Sequence, residues 1–316
     1  MDKKLKILVL GADGFLGSNL TISLLKEKKY RVRAFDLFQD GKSRNLEKYR
    51  KNQDLEIFQG NFLNREDLKS ALDSVDYVFH FVSFTTPGSS MNDPIIDIET
   101  NLKGTVELLD ECTKAKVKKV IFPSSGGAIY GNQNRESYTE SDCLNPISPY
   151  AISKLGIEKY LEYFRLTHGL DYLILRLSNP YGPLQNVVGN QGIIPIFLNL
   201  IKNNQPVTVF GDGNNVRDYI FIDDTIQNIK RLAFKKKSFY RIYNIGSGIG
   251  TSINELLAIM GKITKKKISL QIEAERKSDL KSIILNVRRA ESEIEYSSKT
   301  NLEQGIKKTW EWIKKL

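Results

Sequence analysis

The stretch Lys6-Ile-Leu-Val-Leu-Gly-Ala-Asp-Gly-Phe-Leu-Gly17, KILVLGADGFLG in one-letter code, decides the predicted fold. Its apolar beginning, Lys6–Leu10, predicts a buried strand, and the glycine-rich loop after it opens a predicted helix over Phe15–Lys28. The glycines of this loop let the backbone turn tightly and approach a pyrophosphate, which a helix N-terminus then stabilises. The spacing is not GxGxxG and many tight turns resemble it, so the surrounding sequence decides what the loop binds.

An acidic residue follows at the expected distance. Asp36 ends the next predicted strand, nineteen residues after Gly17. A carboxylate here would accept hydrogen bonds from the adenosine ribose hydroxyls and repel a 2′-phosphate. Asp36 therefore favours NAD over NADP, although Arg33 and Lys42 lie nearby in the sequence. The alternative interpretation of Asp36 is an exposed loop acid.

Strand-like and helix-like patterns alternate through the first half of the chain. The predicted strands are 6–10, 31–36, 55–59, 77–82, 117–123 and 172–177. The predicted helices are 15–28, 65–72, 95–115 and 150–167. Such alternation implies crossover connections, and so predicts an α/β fold with a Rossmann-type doubly wound parallel sheet. Ligands of such sheets bind at the carboxyl ends of the strands.

The pattern changes after Ser178, where loops rich in Gly, Asn and Pro separate shorter elements. We therefore expect a dinucleotide-binding domain over residues 1–178 and a smaller C-terminal substrate-binding lobe over 179–316. Segments around 218–246 are expected to return to the first domain.

A tyrosine and a lysine four residues apart, Tyr150 and Lys154 in PYAISK, share one face of a predicted helix. A phenol has a pKa of about 10 and is a poor base at neutral pH. A nearby ammonium and the positive ring of NAD⁺ favour the phenolate, which can take a proton from a hydroxyl while a hydride leaves the same carbon. A tyrosine packed on an amphipathic helix is the alternative. The catalytic interpretation is favoured because the pair follows a dinucleotide-type loop and a strand ending in Ser124 and Ser125.

Composition excludes several other classes of protein. The 316 residues carry a formal net charge of +10, spread as short lysine clusters without zinc-finger spacing or interleaved aromatic residues, so nucleic-acid binding is not expected. The sequence contains no run of eighteen apolar residues, so no membrane span is predicted. Its N-terminal apolar run is too short for a signal peptide. We expect a cytoplasmic protein. The two cysteines, far apart, and the two isolated histidines predict no metal site.

Taken together, these motifs resemble the extended short-chain dehydrogenase/reductase family, which contains the NAD-dependent nucleotide-sugar epimerases and dehydratases. The resemblance is closest to the UDP-glucose (UDP-hexose) 4-epimerase-like members, and it covers nearly the whole chain. It rests on GADGFLG, HFVS, NLKGTVELL, SSGGAIYG, PYAISK, LRLSNPYGP, FGDGNNVRDYIFIDD, NIGSG and ERKSD.

The resemblance implies roles for particular residues. Those implied to hold NAD are Gly11, Gly14, Phe15, Leu16, Gly17, Asp36, Asn61, Phe62, Phe81, Val82, Ser83, Ser124, Tyr150 and Lys154. Those implied to bind the nucleotide sugar are Thr86, Ser125, Asn179, Val209, Phe210, Arg217, Arg276 and Asp279. The two arginines would clamp the diphosphate, because a guanidinium meets two oxygens at once. Tyr150, Lys154 and Ser125 would be catalytic.

Three departures from the family pattern bear on the reaction. Asn61 replaces the acid that usually contacts adenine, so its amide would make that hydrogen bond. Gly126 replaces the third hydroxyl of the epimerase loop, which leaves Ser125, or less directly Thr86, to orient the sugar hydroxyl. The loop positions at which dehydratases are implied to carry an acid pair are Gly126 and Gly127, and dehydration needs such extra acid–base groups.

The resulting hypothesis is reversible C4 epimerisation of a nucleotide hexose through a transient 4-keto sugar. The alternative is an NAD(P)H-dependent 4-ketoreductase of a nucleotide-linked deoxy or heptose keto sugar, which would use the same tyrosine and lysine. A non-catalytic NAD-binding protein is disfavoured by the intact Tyr150, Lys154 and Arg217. A homodimer is expected through helices 95–115 and 150–167, because both carry apolar residues on more than one side.

Overall fold

The computed structural model describes residues 4–133, 135–189, 192–275, 280–296 and 298–316. The strands are β1 (Leu5–Leu10), β2 (Tyr30–Asp36), β3 (Leu55–Gln59), β4 (Tyr77–His80), β5 (Lys119–Ser125), β6 (Asp171–Leu177), β7 (Asn179–Tyr181), β8 (Val207–Phe210), β9 (Val216–Phe221), β10 (Ile242–Ile245), β11 (Gly250–Ser252), β12 (Leu270–Glu273) and β13 (Ser282–Ile283). The α-helices are α1 (Phe15–Leu25), α2 (Arg65–Ala71), α3 (Pro94–Asp97), α4 (Gly104–Lys114), α5 (Gly126–Ile129), α6 (Pro149–His168), α7 (Ile193–Lys202), α8 (Ile222–Ala233), α9 (Ile253–Thr264), α10 (Arg288–Glu293) and α11 (Leu302–Ile313).

The chain divides into two compact units. The first contains Met1–Ser124 and Ser148–Leu175, and the second contains Ser125–Ile147 and Arg176–Leu316. No helix within the described ranges is both long enough and apolar enough to pass through a membrane.

The first unit is built on a sheet with strand order β6-β5-β4-β1-β2-β3. The pairs β1–β2, β2–β3, β1–β4 and β4–β5 are parallel, as the predicted alternation of strands and helices requires. Ile7, Leu8, Val9 and Leu10 of β1 are fully buried, because helices cover both faces of the sheet. The strand order reverses between β1 and β4, so the carboxyl ends of these two strands flank the position where such sheets bind ligands.

Helix α6 begins and ends with strong local signals. The Ser148 side chain caps it by accepting a hydrogen bond from the Ala151 N–H, and Pro149 occupies the first turn. Gly169 ends it in the left-handed conformation at φ +73°. These signals confirm the predicted helix 150–167 to within a residue at each end.

The predicted helix 95–115 differs from the structure, which divides it into three parts. Asp93 caps α3, a wider π-helical segment spans Ile98–Lys103, and α4 begins at Gly104. A π-helical segment adds a residue to a helical turn and is often found at functional sites. Here it accompanies buried polar side chains, which the apolar periodicity of the sequence does not reveal.

Within the described residues, the second unit has two smaller sheets. One has the order β11-β9-β13, with β7 also pairing β9, and the other pairs β12 with β8. The buried carboxylate of Asp218 in β9 accepts hydrogen bonds from the N–H groups of Ser247 and Gly248 and from the N–H of Leu285. This carboxylate joins three separate segments of the second unit.

Candidate active site

The glycine loop after β1 is packed so closely that side chains are excluded. Gly11 has φ +76°, and a Cβ there would lie 3.0 Å from both the carbonyl carbon of Phe81 and the backbone nitrogen of Val82. A Cβ on Gly17 would lie 2.1 Å from the Gly11 carbonyl oxygen. These contacts hold the N-terminus of α1 against the ends of β1 and β4. The loop therefore has the form of a pyrophosphate cradle, and its residues fit a dinucleotide.

Asp36 lies at the end of β2 with its carboxylate turned toward this loop. One oxygen accepts a hydrogen bond from the Asp13 N–H at 2.9 Å, and the other accepts one from the Leu37 N–H at 2.8 Å. Burial raises the pKa of Asp36, and the two backbone N–H groups oppose that rise. An exposed loop acid would not be held in this way, so the position suits recognition of ribose hydroxyls.

Arg33, one of the two basic residues close to Asp36 in sequence, is committed elsewhere. Its buried guanidinium donates to the carbonyl of Ala71 at 2.7 Å and pairs with Glu56 at 2.9 Å. It also stacks over the Phe58 ring. A guanidinium bonded in this way serves the packing of α2 on the sheet, and so a 2′-phosphate would have to displace these contacts.

The two residues after Gly60 lie in different environments. Asn61 is exposed, and its side-chain oxygen accepts a hydrogen bond from the Leu63 N–H at 3.0 Å. Phe62 is buried and stacks on His80 with 5.0 Å between ring centroids. Burial, with the charge of Lys154, lowers the pKa of His80 to about 3, so this imidazole is neutral. Phe62 thus belongs to the packing around His80, and Asn61 is the more accessible of the two.

The segment after β4 follows directly on the glycine loop. Phe81 and Val82 form the backbone against which Gly11 packs. The Ser83 hydroxyl donates to the Thr85 carbonyl at 3.0 Å. The Thr86 hydroxyl and the Ser89 hydroxyl are hydrogen-bonded to each other at 3.1 Å. Thr86, the secondary candidate for orienting the sugar hydroxyl, is thereby engaged in a local turn.

Tyr150 and Lys154 lie in the first two turns of α6, within the same unit as the glycine loop. The Lys154 Nζ lies 5.5 Å from the centre of the Tyr150 ring and 4.6 Å from that of Phe122. It donates a hydrogen bond to the Pro123 carbonyl at 3.2 Å. Burial lowers the pKa of Lys154 to about 8, although Asp97 and Glu158 raise it. The ammonium therefore lies beside the phenol in a water-poor environment, where its charge acts strongly.

The strand β5 carries the two serines of the predicted site. Ser124 is buried, and its hydroxyl has no hydrogen-bond partner among the residues that the structure describes. Such an orphaned hydroxyl is suited to meet a bound ligand. Ser125 is half-buried at the point where β5 meets α5, and no side-chain cap hydrogen bond is made there.

The glycines after Ser125 have different surroundings in the second unit. A Cβ on Gly126 would lie 2.6 Å from the Leu285 side chain and 3.1 Å from the Arg176 carbonyl. A Cβ on Gly127 would meet nothing within 4 Å. The Leu285 side chain thus fills the space next to position 126, where the family pattern has a residue with a hydroxyl.

The second unit contains the other residues expected to bind the nucleotide sugar. The Asn179 side-chain amide donates to the Asp218 carbonyl at 2.9 Å. The Arg217 guanidinium donates to the Leu280 carbonyl at 2.7 Å, immediately after residues 276–279. Val209 is buried in β8 and Phe210 ends that strand. Arg276 and Asp279 lie outside the described residues, so their roles remain predictions.

Sequence reasoning missed the role of Asp13 inside the glycine loop. Its carboxylate accepts hydrogen bonds from the backbone N–H groups of Arg44 and Asn45, both at 3.0 Å, and from the Ser43 hydroxyl. Asp13 therefore ties the segment after Asp36 to the glycine loop. The sequence signal that could have indicated this role is the presence of an acidic residue within the glycine motif.

The loop tyrosine before Gly131 is structural. Tyr130 is fully buried in the second unit, where its hydroxyl donates to the Asn244 side-chain oxygen at 2.7 Å. Burial raises the pKa of Tyr130 to about 12. Tyr130 therefore contributes to the packing of the second unit, whereas Tyr150 lies beside the buried Lys154 in the first unit.

The geometry of the first unit is that of a dinucleotide-dependent enzyme with a tyrosine–lysine pair. The model of the NAD dependent epimerase/dehydratase family matches residues 7–246, and the chain belongs to this family.

Three relatives of this chain are similar over nearly their whole length. A putative UDP-glucose 4-epimerase of Methanocaldococcus jannaschii is 33% identical, with 98% of each chain covered. The structure of UDP-glucose 4-epimerase from Thermotoga maritima with UDP-glucose has a TM-score of 0.90 at 34% identity, covering 98% of this chain and 99% of that one. A reductase, dTDP-4-dehydro-6-deoxyglucose reductase of Escherichia coli, is 28% identical over 97% of this chain and 96% of its own.

Proposed function

We propose that this protein catalyses the NAD-dependent C4 epimerisation of a nucleotide hexose, either UDP-glucose and UDP-galactose or their N-acetyl forms. The observation that carries the proposal is the position of Lys154 beside Tyr150 in the unit that also holds the glycine loop. Similarity to UDP-glucose 4-epimerases over nearly the whole chain supports the substrate class.

The chain's own residues would move one proton in each direction. Tyr150, as the phenolate, takes the proton of the 4-hydroxyl while a hydride leaves C4, and a carbonyl forms there. The Lys154 ammonium favours the phenolate by its charge. After the sugar presents its other face, hydride returns to C4 and Tyr150 gives the proton back to O4. When bound, NAD⁺ accepts the hydride and returns it.

Bound NAD would be held by residues of the first unit. Gly11, Gly14 and Gly17 leave the N-terminus of α1 open to the pyrophosphate, and Asp36 suits the ribose hydroxyls. Phe81, Val82 and Ser83 follow β4 at the edge of this cradle. The buried Ser124 hydroxyl would be available to the ligand, because it has no hydrogen-bond partner among the described residues.

The second unit would bind the nucleotide sugar. Arg217 and Asn179 lie on neighbouring strands, β9 and β7, and are proposed to bind the phosphates. Ser125 is proposed to orient the 4-hydroxyl, because Leu285 occupies the space that a side chain at position 126 would need.

Two other reactions are less well supported. Dehydration needs an added acid and base, and no carboxylate occurs anywhere in Ser124–Gly131. A 4-ketoreductase would use the same tyrosine–lysine pair, and the similarity to an Escherichia coli reductase makes it the second candidate. It differs by consuming added NADH with net turnover.

A homodimer is proposed through one face of the first unit. Large apolar side chains are exposed on α3, the π-helical segment and α6, namely Ile95, Ile96, Ile98, Ile152, Tyr163 and Leu166. Such a patch is typical of an interface. Light scattering should give twice the chain mass for the wild type, and Leu166→Asp should shift it toward one chain mass. A wild-type monomer would contradict the proposal.

The test of the reaction is a product assay without added cofactor. Purified protein is incubated separately with UDP-glucose, UDP-galactose, UDP-N-acetylglucosamine and UDP-N-acetylgalactosamine, and the products are separated by anion-exchange chromatography. Formation of the C4 epimer, lost in Tyr150→Phe, is the expected result. No conversion of any substrate, together with oxidation of added NADH by a 4-keto sugar nucleotide, would favour the reductase.

A further inference from the structure

A buried polar cluster made of Thr85, Asp97 and Asn101 lies under α6 in the first unit, and we call it the Asp97 cluster. All three side chains are buried, and Asp97 has no exposed surface at all. None of the three belongs to the residues implied to bind cofactor or sugar. A fully buried carboxylate is costly unless it is paired, so its partners need to be identified.

Two hydrogen bonds within the cluster go to the same oxygen of Asp97, and the Asn101 amide also donates to the Thr85 hydroxyl at 2.8 Å. The Asn101 side-chain amide donates to Asp97 Oδ1 at 2.9 Å, and the Thr85 hydroxyl donates to the same atom. The other oxygen, Asp97 Oδ2, is buried and has no hydrogen-bond partner among the described residues. One oxygen of the Asp97 carboxylate is therefore fixed by hydrogen bonds, and the other is buried without a hydrogen-bond donor among the described residues.

The backbone around Asp97 is shaped to hold this arrangement. The π-helical segment starts directly after Asp97 and contains Asn101. The Asn101 carbonyl accepts a hydrogen bond from the Thr105 hydroxyl at 2.6 Å, and that hydroxyl is bonded to His80 at 2.8 Å. The cluster is thus continuous with the packing around His80, whose ring centroid lies 5.7 Å from that of Phe122, the ring over which Lys154 Nζ lies at 4.6 Å.

Lys154 is the cation in this environment. Its Nζ is buried, and its one hydrogen bond within the described ranges is to the neutral Pro123 carbonyl, so its charge has no acid in direct contact. The titratable groups that face it are Asp97 across from α6, Glu158 one turn along α6, the neutral His80, and Tyr150. Both acids raise the pKa of Lys154, and Asp97 raises it more than Glu158 does.

We propose that Asp97 is a positioning residue whose carboxylate supplies the buried counter-charge that keeps Lys154 protonated beside Tyr150. The proposal rests on the proposed function only in that Tyr150 transfers the proton and Lys154 favours its phenolate form. Asp97 does not touch the reacting atoms. It acts through Lys154, across the interior, where a charge outside direct contact retains much of its effect.

The Asp97→Asn substitution removes the negative charge of the side chain and keeps its size and shape. Its side-chain oxygen can still accept both hydrogen bonds now made to Oδ1, while the negative charge is lost. In the NAD-loaded protein we expect the alkaline limb of the kcat profile to move to lower pH by about one unit. The KM and the bound NAD should change little, and the Tm should fall modestly, because the buried Lys154 ammonium loses part of its counter-charge. Asp97→Glu, which keeps the charge, should restore the wild-type profile.

Thr85→Val is the matched control, because it removes one hydrogen bond to Asp97 and keeps the carboxylate. If the cluster is merely structural, Thr85→Val and Asp97→Asn will both lower the Tm and reduce kcat equally at every pH. That result would overturn the proposal. If Asp97→Asn fails to fold, it is combined with Lys154→Met. The proposal predicts that the double variant folds, and its failure would show a need for the carboxylate that is independent of Lys154.

A spectroscopic titration separates failure of this proposal from failure of the proposed function. The ultraviolet absorbance of phenolate is followed from pH 6 to 10 in the NAD-loaded protein, and the same curve for Tyr150→Phe is subtracted. Asp97→Asn should move the Tyr150 midpoint to higher pH, whether or not any sugar is epimerised. An unmoved midpoint would overturn the role of Asp97 even if epimerase activity is found.

Discussion

Replacing Lys154 by Met is expected to make the protein more stable at neutral pH while it abolishes the reaction. Lys154 is 6% exposed, and burial lowers its pKa from 10.5 to about 8. The difference of about 2.5 units corresponds to about 3.5 kcal/mol at about 1.4 kcal/mol per unit. Met has a similar length and an uncharged, adaptable side chain, so it should fill the same space.

The sign of the pH dependence follows from linkage. The folded state disfavours the charged lysine, so the cost is complete below about pH 8, where folded and unfolded chains are both protonated. It falls as the pH rises toward 10.5 and is absent above that value. Met loses the hydrogen bond to the Pro123 carbonyl and the contact with the Phe122 ring, worth about 1 kcal/mol in total. The net gain at pH 7 is therefore about 2.5 kcal/mol.

Urea unfolding of the two cofactor-free proteins at pH 7 and pH 10 measures this difference. The Lys154→Met variant should be the more stable at pH 7, and its advantage should shrink at pH 10. Product formation should fall at least a hundredfold, because the phenolate of Tyr150 loses its cation. A variant less stable than the wild type at pH 7, or a difference that does not depend on pH, would refute the reasoning about burial.

Three further substitutions test the two units. Gly17→Ala should lower the Tm and reduce the NAD content of the purified protein, because its Cβ would lie 2.1 Å from the Gly11 carbonyl oxygen; Gly88→Ala, which meets nothing within 4 Å, should change neither. Asp36→Asn should weaken NAD binding about tenfold in calorimetry, since an amide is the poorer acceptor for ribose hydroxyls. Asp218→Asn should lower the free energy of unfolding by about 2 kcal/mol, because a buried acceptor of several N–H groups is replaced in part by a donor; an unchanged urea midpoint would contradict this.

Much of the first unit could be predicted because its signals are local. The apolar run of β1, the glycines at 11 and 17, and Asp36 at the end of β2 each depend on a few neighbouring residues. Helix α6 was equally predictable, since Ser148 and Gly169 mark its two ends. Tyr150 and Lys154 then follow from spacing along that helix alone.

The remaining features depend on contacts between segments distant in the sequence. The π-helical segment accompanies the bonding of Asn101 to Thr85 and Asp97, and no periodicity encodes that bonding. Arg33 looked available to a phosphate, but the carbonyls at the end of α2 bind its guanidinium. Position 126 accommodates a glycine because the side chain of Leu285, which is 159 residues later in the chain, fills the space that a Cβ would need.

The most direct test of the account uses UDP-glucose and UDP-N-acetylglucosamine carrying deuterium at C4, with no cofactor added. The epimer is isolated and its label located by mass spectrometry and proton NMR. A C4 epimerase of the proposed kind should give an epimer of unchanged mass with deuterium still at C4, because the hydride that leaves this carbon returns to it. An epimer that has lost its deuterium to solvent, or a product that has lost a molecule of water, would contradict the account.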